Sequence, residues 1–129
     1  MDVLQKKKIG IIGGVSAVSS SMIYLRTALQ YNAENQSRGK LIFPEIDLTS
    51  LNMAEFKNAL SAENYDELVR IFVKAMRALP QVKLWVLASN TAHCVIDRLK
   101  RVTGAQFIDG REVLAQAALK DGYHKILLL

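Results

Sequence analysis

The chain has 129 residues, half of them hydrophobic, so it has the length of one domain and enough apolar surface for a core. Its single cysteine, Cys94, excludes an internal disulfide framework and a site made of several thiolates, and no apolar stretch approaches the about 20 residues of a membrane-spanning helix. The net charge of +5 comes from scattered basic residues without interleaved aromatic side chains, which favours small anionic molecules over nucleic acid as partners.

Strands and helices alternate from the start of the chain. Residues 8–12 are a short β-branched run that ends in two glycines, which predicts a buried strand. A helix is predicted over residues 16–35, and its apolar side chains are spaced to form one stripe, namely Val18, Met22, Leu25 and Leu29. A second strand is predicted over residues 41–46, at a strand end or at an edge because Pro44 lies within it.

The second half of the chain continues this alternation. Asn52 is suited to cap a short helix that ends near Leu60, and residues 62–79 have the clearest helical period, with Pro80 just past the end. Gly104 is placed to close a later helix. The remaining predicted elements are a strand over residues 83–88, a helix over 92–102, a strand over 106–108, a helix over 111–120 and a strand over 125–129.

This order of elements is typical of a parallel sheet that is covered on both faces. We therefore predict the α/β class, as a three-layer α/β/α fold with a mostly parallel sheet of four to five strands. The last predicted strand is apolar and is followed by no turn, cap or polar tail. Because a buried parallel strand normally leads into a further turn and helix, we expect the chain to end within a larger fold.

Ligands of open α/β sheets bind beyond the carboxyl ends of the strands. Three segments of small and polar residues follow predicted strands and are therefore expected to meet in one pocket at this edge of the sheet: residues 13–16, 47–50 and 89–93. In the first, Gly10, Gly13 and Gly14 have neither the dinucleotide-binding spacing nor that of a P-loop. A tight strand-to-helix turn with Ser16 as the N-cap is therefore the favoured interpretation of that segment on its own.

The segment Ser89-Asn90-Thr91-Ala92-His93 is the more specific signal. The side chains of Asn90 and Thr91, together with the amides of a helix N-terminus, are able to hold a carboxylate, and His93 adds a titratable group one turn further on. The alternative is that Asn90 or Thr91 only caps the helix and that His93 is a surface residue.

Two motifs together carry a resemblance to a known family. The N-terminal KKIGIIGG, followed by a serine-rich helix start with Tyr24, and the strand-terminal NTAH resemble the aspartate/glutamate racemase family. The resemblance implies one lobe of a two-lobe fold, with the substrate between the lobes. Residues 1–110 would form the N-terminal lobe and residues 111–129 the beginning of the second lobe. It also implies a racemase of aspartate or glutamate that uses no cofactor.

Inversion at the α-carbon requires a base on one face and an acid on the other. In the family that this chain resembles, two cysteines do this, one from each lobe. Ser89 stands where the first thiol is expected, and the second would lie beyond Leu129. A serine hydroxyl is too weak an acid to serve unaided as a base at neutral pH, so we predict no racemisation by this chain. Val18 also stands where many relatives have an acidic residue.

Carried over by position, the resemblance implies a role for each of several residues. Ser89 would occupy the proton-transfer site, and Asn90 and Thr91 would hold the α-carboxylate of the substrate. The pocket would be completed by Ser16, Thr49 and His93, with Asp47 as a weaker candidate.

Other interpretations remain open. A Ser-His-Asp hydrolase triad could be composed of Ser89, His93 and Asp109. However, Ser89 lacks the flanking glycines of a nucleophile elbow. The stronger alternative is a non-catalytic domain that binds an acidic amino acid or acts by self-association. We expect Cys94 to be a small apolar core filler. We also expect a soluble, cytoplasmic homo-oligomer that binds a small acidic amino acid and has no metal, no nucleic-acid partner and no membrane partner.

Overall fold

The structure is a computed structural model that describes residues 8–36 and 39–127. Its centre is a sheet of four strands, which pair in parallel in the order β2-β1-β3-β4. The strands are β1 (Ile9–Gly13), β2 (Ile46–Ser50), β3 (Leu84–Leu87) and β4 (Gln106–Ile108). The helices are α1 (Ala17–Asn35), α2 (Met53–Ser61), α3 (Tyr65–Arg77), a 3-10 turn (Thr91–Val95), α4 (Ile96–Thr103) and α5 (Gly110–Lys120).

This architecture confirms the predicted α/β fold with a parallel sheet. Several helix ends have the caps that their sequences indicate. Asn52 accepts hydrogen bonds from the amides of Ala54 and Glu55 at the start of α2, and Ser16 accepts one from the amide of Ser19 at the start of α1. None of the described helices is both long and apolar enough to cross a membrane.

One face of the sheet carries the hydrophobic core. Trp85 and Leu87 of β3 point to this face, together with Ile12 of β1. Helices α2, α3 and α4 cover them, and Phe56 meets Phe72 edge to face with ring centroids 6.2 Å apart. The largest fully buried side chains all lie in this layer or in the strands beneath it, apart from Ile11 on the opposite face: Trp85, Phe56, Phe72, Ile11, Leu68, Ile96, Leu99 and Val95.

The opposite face is covered by α1 over the middle of the sheet and is flanked by α5. Helix α1 buries two small residues, Ser20 and Ala28, against the strands. Its predicted apolar stripe lies on the other side of the helix, where it is exposed. The residues of α5 are not buried either. This layer is therefore thinner and more exposed than the first.

Two predicted elements were placed wrongly. The second strand spans Ile46–Ser50 rather than residues 41–46, because Pro44 has no N–H for the ladder, whereas residues 46–50 pair in register with β1. The helix predicted over residues 62–79 spans only Tyr65–Arg77, because Glu63 has a left-handed φ of 51° and Asn64 caps the helix from there. The spacing of apolar residues in the sequence reveals neither the shifted position of β2 nor the later start of α3.

Two further boundaries differ near the end of the chain. The helix predicted over residues 92–102 begins as a 3-10 turn and becomes α-helical only at Ile96, although Gly104 ends it with the expected left-handed φ of 64°. Residues 125–127 of the predicted last strand form no strand, and Leu128 and Leu129 lie outside the described residues. The division into residues 1–110 and 111–129 stays a prediction.

Strand β1 lies unusually close to its neighbours, and its glycines make this possible. A Cβ on Gly10 would come within 2.5 Å of the Trp85 ring, and a Cβ on Gly13 within 2.3 Å of the Ser20 hydroxyl. At Gly14 a Cβ would meet the backbone of Leu51 at 2.5 Å, and its φ is +94°. The main role of these glycines is therefore to allow the close packing of neighbouring groups against the start of the chain.

We predict that Gly14→Ala destabilises the chain by about 3 kcal/mol or more, because it adds a backbone clash to the strain of a left-handed φ. Gly104→Ala is the matched control. Its φ is also left-handed, at 64°, but no atom lies within 4 Å of the added methyl group, so we expect a cost of about 1 kcal/mol. Urea unfolding of both variants measures the difference, and equal costs would contradict the close approach to Leu51.

Candidate functional site

The carboxyl ends of three strands lie side by side at one edge of the sheet. The amide of Leu51 donates to the carbonyl of Gly13 at 2.8 Å, and the amide of Ala88 donates to the carbonyl of Ile12 at 2.9 Å. The chain segments that leave β1, β2 and β3 therefore begin next to one another, as expected for a ligand-binding edge of a parallel sheet.

The β3 segment has the most available polar groups. The hydroxyl oxygen of Ser89 accepts a long hydrogen bond, 3.4 Å, from the amide of Ala92. Asn90 and Thr91 are exposed, and Asn90 makes no side-chain cap to the following helix. Ser89, rather than Asn90 or Thr91, thus caps the turn, which leaves the amide of Asn90 and the hydroxyl of Thr91 open to solvent.

His93 is buried and links two parts of the chain. Its Nδ1 lies 2.8 Å from the carbonyl oxygen of Ser89, and its Nε2 accepts a hydrogen bond of 3.1 Å from the amide of Gly110. Because an amide can only donate, Nε2 carries no proton, and the proton is on Nδ1, which donates to Ser89. The imidazole therefore ties the end of β3 to the start of α5. His93 is not the surface residue that we considered as an alternative.

A network of charges holds the start of α5 in place beside His93. The side chain of Asp109 is almost completely buried and accepts hydrogen bonds from Lys100 Nζ at 2.9 Å and from the Arg111 guanidinium at 2.8 and 3.0 Å. Arg111 also pairs with Asp97 at 2.9 Å. The hydrogen bonds from Arg111, with those from Lys100, hold the pKa of Asp109 far below its usual range despite its burial.

These contacts exclude the hydrolase triad. A triad needs the carboxylate on one ring nitrogen of the histidine and the serine hydroxyl on the other. Here the ring nitrogens of His93 are bonded to the backbone of Ser89 and Gly110, while Asp109 bonds to Lys100 and Arg111. The polar groups are arranged to hold backbone segments together.

A cavity of about 480 Å³ opens beside the end of β3, between α1 and α5. Three of the predicted site residues line it: Ser89, Asn90 and His93. Most of its wall is apolar and comes from both helices and from the exposed face of β3 and β4. The apolar residues include Met22, Ile23, Val86, Ile108 and Val113.

The cavity also contains a cation that the sequence analysis missed. Arg26 of α1 lines it, and within residues 8–36 and 39–127 this arginine has no ion-pair partner. No motif marks Arg26, because its relation to Ser89 arises only when α1 packs across the sheet. An unpaired guanidinium beside serine and asparagine side chains is suited to bind a carboxylate.

The other predicted site residues do not line this cavity. Ser16 is the N-cap of α1, Thr91 lies on the exposed 3-10 turn, and Thr49 lies within β2, paired with Ile12. Asp47 also lies within β2, where it forms an ion pair with Lys8 at 3.0 Å. The shift of β2 by several residues places the segment 47–50 inside the strand rather than beyond its end.

Cys94 is exposed, contrary to the prediction of a core filler, because the 3-10 turn places the neighbouring Val95 and not Cys94 in the core. Desolvation by its surroundings nevertheless raises the pKa of the thiol, which disfavours the thiolate. In the described part of the chain, no three histidine, cysteine or acidic side chains come together as a metal site requires.

Comparisons with solved structures agree with this fold. The chain superposes on a protein from Yersinia pestis described as a candidate Asp/Glu racemase, with a TM-score of 0.76 and 22% identity. It also superposes on an aspartate racemase homologue from Pyrococcus horikoshii, with a TM-score of 0.71 and 28% identity. In each case 90% of this chain matches 50% of the other chain. No family model and no curated protein matches.

The predicted resemblance is therefore confirmed as a racemase-like fold. This chain spans about half the length of the two solved structures that it matches.

The link made by His93 can be tested directly. We predict that His93→Ala lowers the free energy of unfolding by about 1–3 kcal/mol, because the buried imidazole is removed and the amide of Gly110 loses its acceptor in a part-buried hydrogen bond. His124→Ala is the matched control, since His124 is exposed and we expect no measurable change. Urea denaturation provides the comparison, and equal stability of the two variants would show that the link contributes nothing.

The buried carboxylate predicts a pH dependence of stability. Because the folded-state pKa of Asp109 is lowered, the unfolded chain takes up a proton first as the pH falls below about 4. Stability is therefore complete above that pH and is lost as the pH falls further. Asp109→Asn should make this loss shallower and should cost about 1 kcal/mol or more at pH 7, because a neutral amide cannot replace the carboxylate in the charge-assisted hydrogen bonds from Lys100 and Arg111.

Glu45→Gln is the control for this variant, because Glu45 is exposed and forms no ion pair with the described residues. Chemical unfolding at several pH values gives both the loss of stability at pH 7 and the steepness of its decline at low pH. If Asp109→Asn and the unmodified chain lose stability in parallel between about pH 4 and pH 2, the assignment to Asp109 is wrong.

Proposed function

We propose that this chain is a racemase-like lobe that binds the carboxylate of aspartate or glutamate at the end of β3 and does not by itself turn the amino acid over. The observation that carries the proposal is the cavity shared by Ser89, Asn90 and Arg26, whose guanidinium pairs with no carboxylate in the described part of the chain. The racemase-like fold and the strand-terminal NTAH segment support an acidic amino acid as the ligand.

The polar groups around the cavity match the chemistry of a carboxylate. The amide of Asn90 supplies N–H donors, and the exposed hydroxyl of Thr91 lies one residue further on. The guanidinium of Arg26 offers a planar pair of donors, the geometry that carboxylates accept best. Arg26 lies on α1 and Asn90 follows β3, so the two carboxylates of one ligand would have anchors on different elements of the cavity wall.

The groups available for proton transfer are weak. Ser89 lines the cavity, but its hydroxyl is far too poor an acid to become a base at neutral pH without help. The only described thiol, Cys94, has a raised pKa and does not line the cavity. His93 uses both of its ring nitrogens on backbone groups. Binding without inversion is the function that these groups support.

Racemisation by two-base proton transfer is the second candidate. It is favoured by the position of Ser89 at the end of β3 in a racemase-like fold. It requires a base and an acid on opposite faces of the α-carbon, and these would have to come from a second lobe. The two functions differ in one observable, the exchange of the α-proton.

We predict that L-aspartate or L-glutamate binds to the chain without exchange of its α-proton in heavy water. Calorimetric titration measures the binding, and NMR of the same samples follows the exchange. Arg26→Gln and Asn90→Ala should each weaken binding about ten-fold or more, because each removes donors to a charged group. Arg101→Gln and Asn58→Ala, on exposed positions of α4 and α2, are the matched controls and should bind as the unmodified chain does.

Two results would contradict this proposal. Robust α-proton exchange at neutral pH would show that the chain is catalytic and that the assigned weakness of its proton-transfer groups is wrong. Absence of binding, or equal binding by Arg26→Gln and Arg101→Gln, would show that the cavity beside β3 is not the site.

A further inference from the structure

Another cavity lies at the amino ends of β3 and β4, at the edge of the sheet opposite the candidate site. Its volume is about 510 Å³, which is within the range of small-molecule pockets, about 300–1,000 Å³. Strand β3 begins after Lys83 and β4 after Ala105, and the amide of Gln106 donates to the carbonyl of Lys83 at 3.2 Å. The last turns of α3 and α4 form the sides of the cavity.

The floor of this cavity is apolar and belongs to the hydrophobic core. Met76, Val82 and Trp85 line it and are buried. Gly10 lets two of them pack against β1, since a Cβ there would lie 2.5 Å from the Trp85 ring and 2.6 Å from Val82. The floor is therefore formed by close packing within the chain and does not depend on a ligand. The remaining apolar lining consists of Val73, Leu79, Pro80, Val102 and Ala105.

The rim of the cavity is positively charged. Arg77, in the last turn of α3, and Lys83 both line the cavity and are exposed. Neither forms an ion pair with residues 8–36 or 39–127. Lys83 Nζ donates to the carbonyl of Pro80 at 3.0 Å, which keeps the ammonium group beside the cavity. Among the described residues, no aspartate or glutamate lines this space, so the two cations adjoin an apolar surface without a carboxylate.

The dipoles of α3 and α4 act against an anion at this edge, because the carboxyl end of each helix carries a partial charge of roughly −0.5. Two of the carbonyls at the end of α4 are bonded within the chain. The hydroxyl of Thr103 donates to the carbonyl of Leu99 at 2.7 Å, and the amide of Gly104 donates to that of Lys100 at 3.0 Å. The two full positive charges of the rim therefore outweigh the partial charges of the two helix ends.

We infer that this cavity binds a small monocarboxylate with a compact apolar body, whose carboxylate pairs with Arg77 and whose apolar part contacts Met76 and Trp85. A guanidinium binds a carboxylate through two parallel N–H donors, and the ammonium group of Lys83 adds a second positive charge. A free amino acid is a poorer ligand, because its own ammonium group would meet two cations and no carboxylate. This inference does not rest on the proposed amino-acid binding at the end of β3.

Benzoate is the probe for this site, and two related compounds separate its charge from its apolar body. Benzyl alcohol has the ring without the charge, and acetate has the charge without the ring. In NMR spectra of the isotope-labelled chain, benzoate should shift the amide signals of Val82 and Ala105 and the indole signal of Trp85, the only tryptophan. The shifts should saturate with a dissociation constant on the order of 1 mM. Benzyl alcohol and acetate should each bind about ten-fold or more weakly, because each lacks one of the two contributions.

Arg77→Gln should weaken the binding of benzoate about ten-fold or more, because it removes the paired donors and one positive charge. Arg101→Gln is the matched control, since Arg101 of α4 is also exposed and its replacement changes the net charge equally, but it does not line this cavity. It should bind benzoate as the unmodified chain does. The NMR spectrum of each variant shows directly whether the fold is retained.

Four results would overturn the inference. Absence of saturable shifts at the cavity signals would show that the cavity takes no such ligand. Equal binding by Arg77→Gln and Arg101→Gln would show that Arg77 does not hold the carboxylate, and equal binding of benzyl alcohol and benzoate would show no preference for an anion. Shifts confined to Ser89 and Asn90 would place benzoate in the cavity beside the end of β3 instead, so one titration distinguishes the two sites.

Discussion

The close packing around β1 is the constraint on which the rest of the structure depends. This strand lies between β2 and β3, and its glycines let large or rigid groups approach from three directions: the Trp85 ring, the Ser20 side chain and the Leu51 backbone. The first contact fixes the core layer, the second fixes α1, and the third brings the ends of β1 and β2 together. Because all three converge on β1 and on Gly14 directly after it, the two layers and the candidate binding edge are positioned relative to one another by a single short segment.

The geometry of the candidate site is set by hydrogen bonds between side chains and the backbone rather than by a sequence motif. His93 connects the carbonyl of Ser89 to the amide of Gly110, and the buried Asp109 keeps that amide in place through Lys100 and Arg111. These residues hold β3, α4 and α5 in a fixed relation, so that one wall of the cavity is rigid. The other wall is α1, which supplies Arg26. A ligand in the cavity would contact both walls.

The sequence allowed the α/β class, the parallel sheet and several helix caps to be predicted, because these depend on local periodicity and on cap residues such as Asn52, Ser16 and Gly104. Prediction from the sequence failed where the structure depends on contacts between elements that are distant in the chain. The position of β2 depends on pairing with β1, which an apolar run interrupted by Pro44 does not reveal. Of the site, Ser89, Asn90 and His93 were found through the NTAH motif, whereas Arg26 was not, since only the packing of α1 brings it there. The outward rotation of α1 was likewise hidden, because a helical period shows that a stripe exists but not which side it faces.

The single thiol of this chain has a practical consequence. Cys94 is exposed, while the neighbouring His93 and Val95 are buried, so a reagent can reach the sulfur without disturbing either. Because the pKa of this thiol is raised, labelling with a maleimide dye will be slow at neutral pH and faster in mildly alkaline buffer. A fluorophore attached there would lie next to His93, which forms part of the cavity wall. Its fluorescence would therefore respond to structural changes at this edge of the sheet.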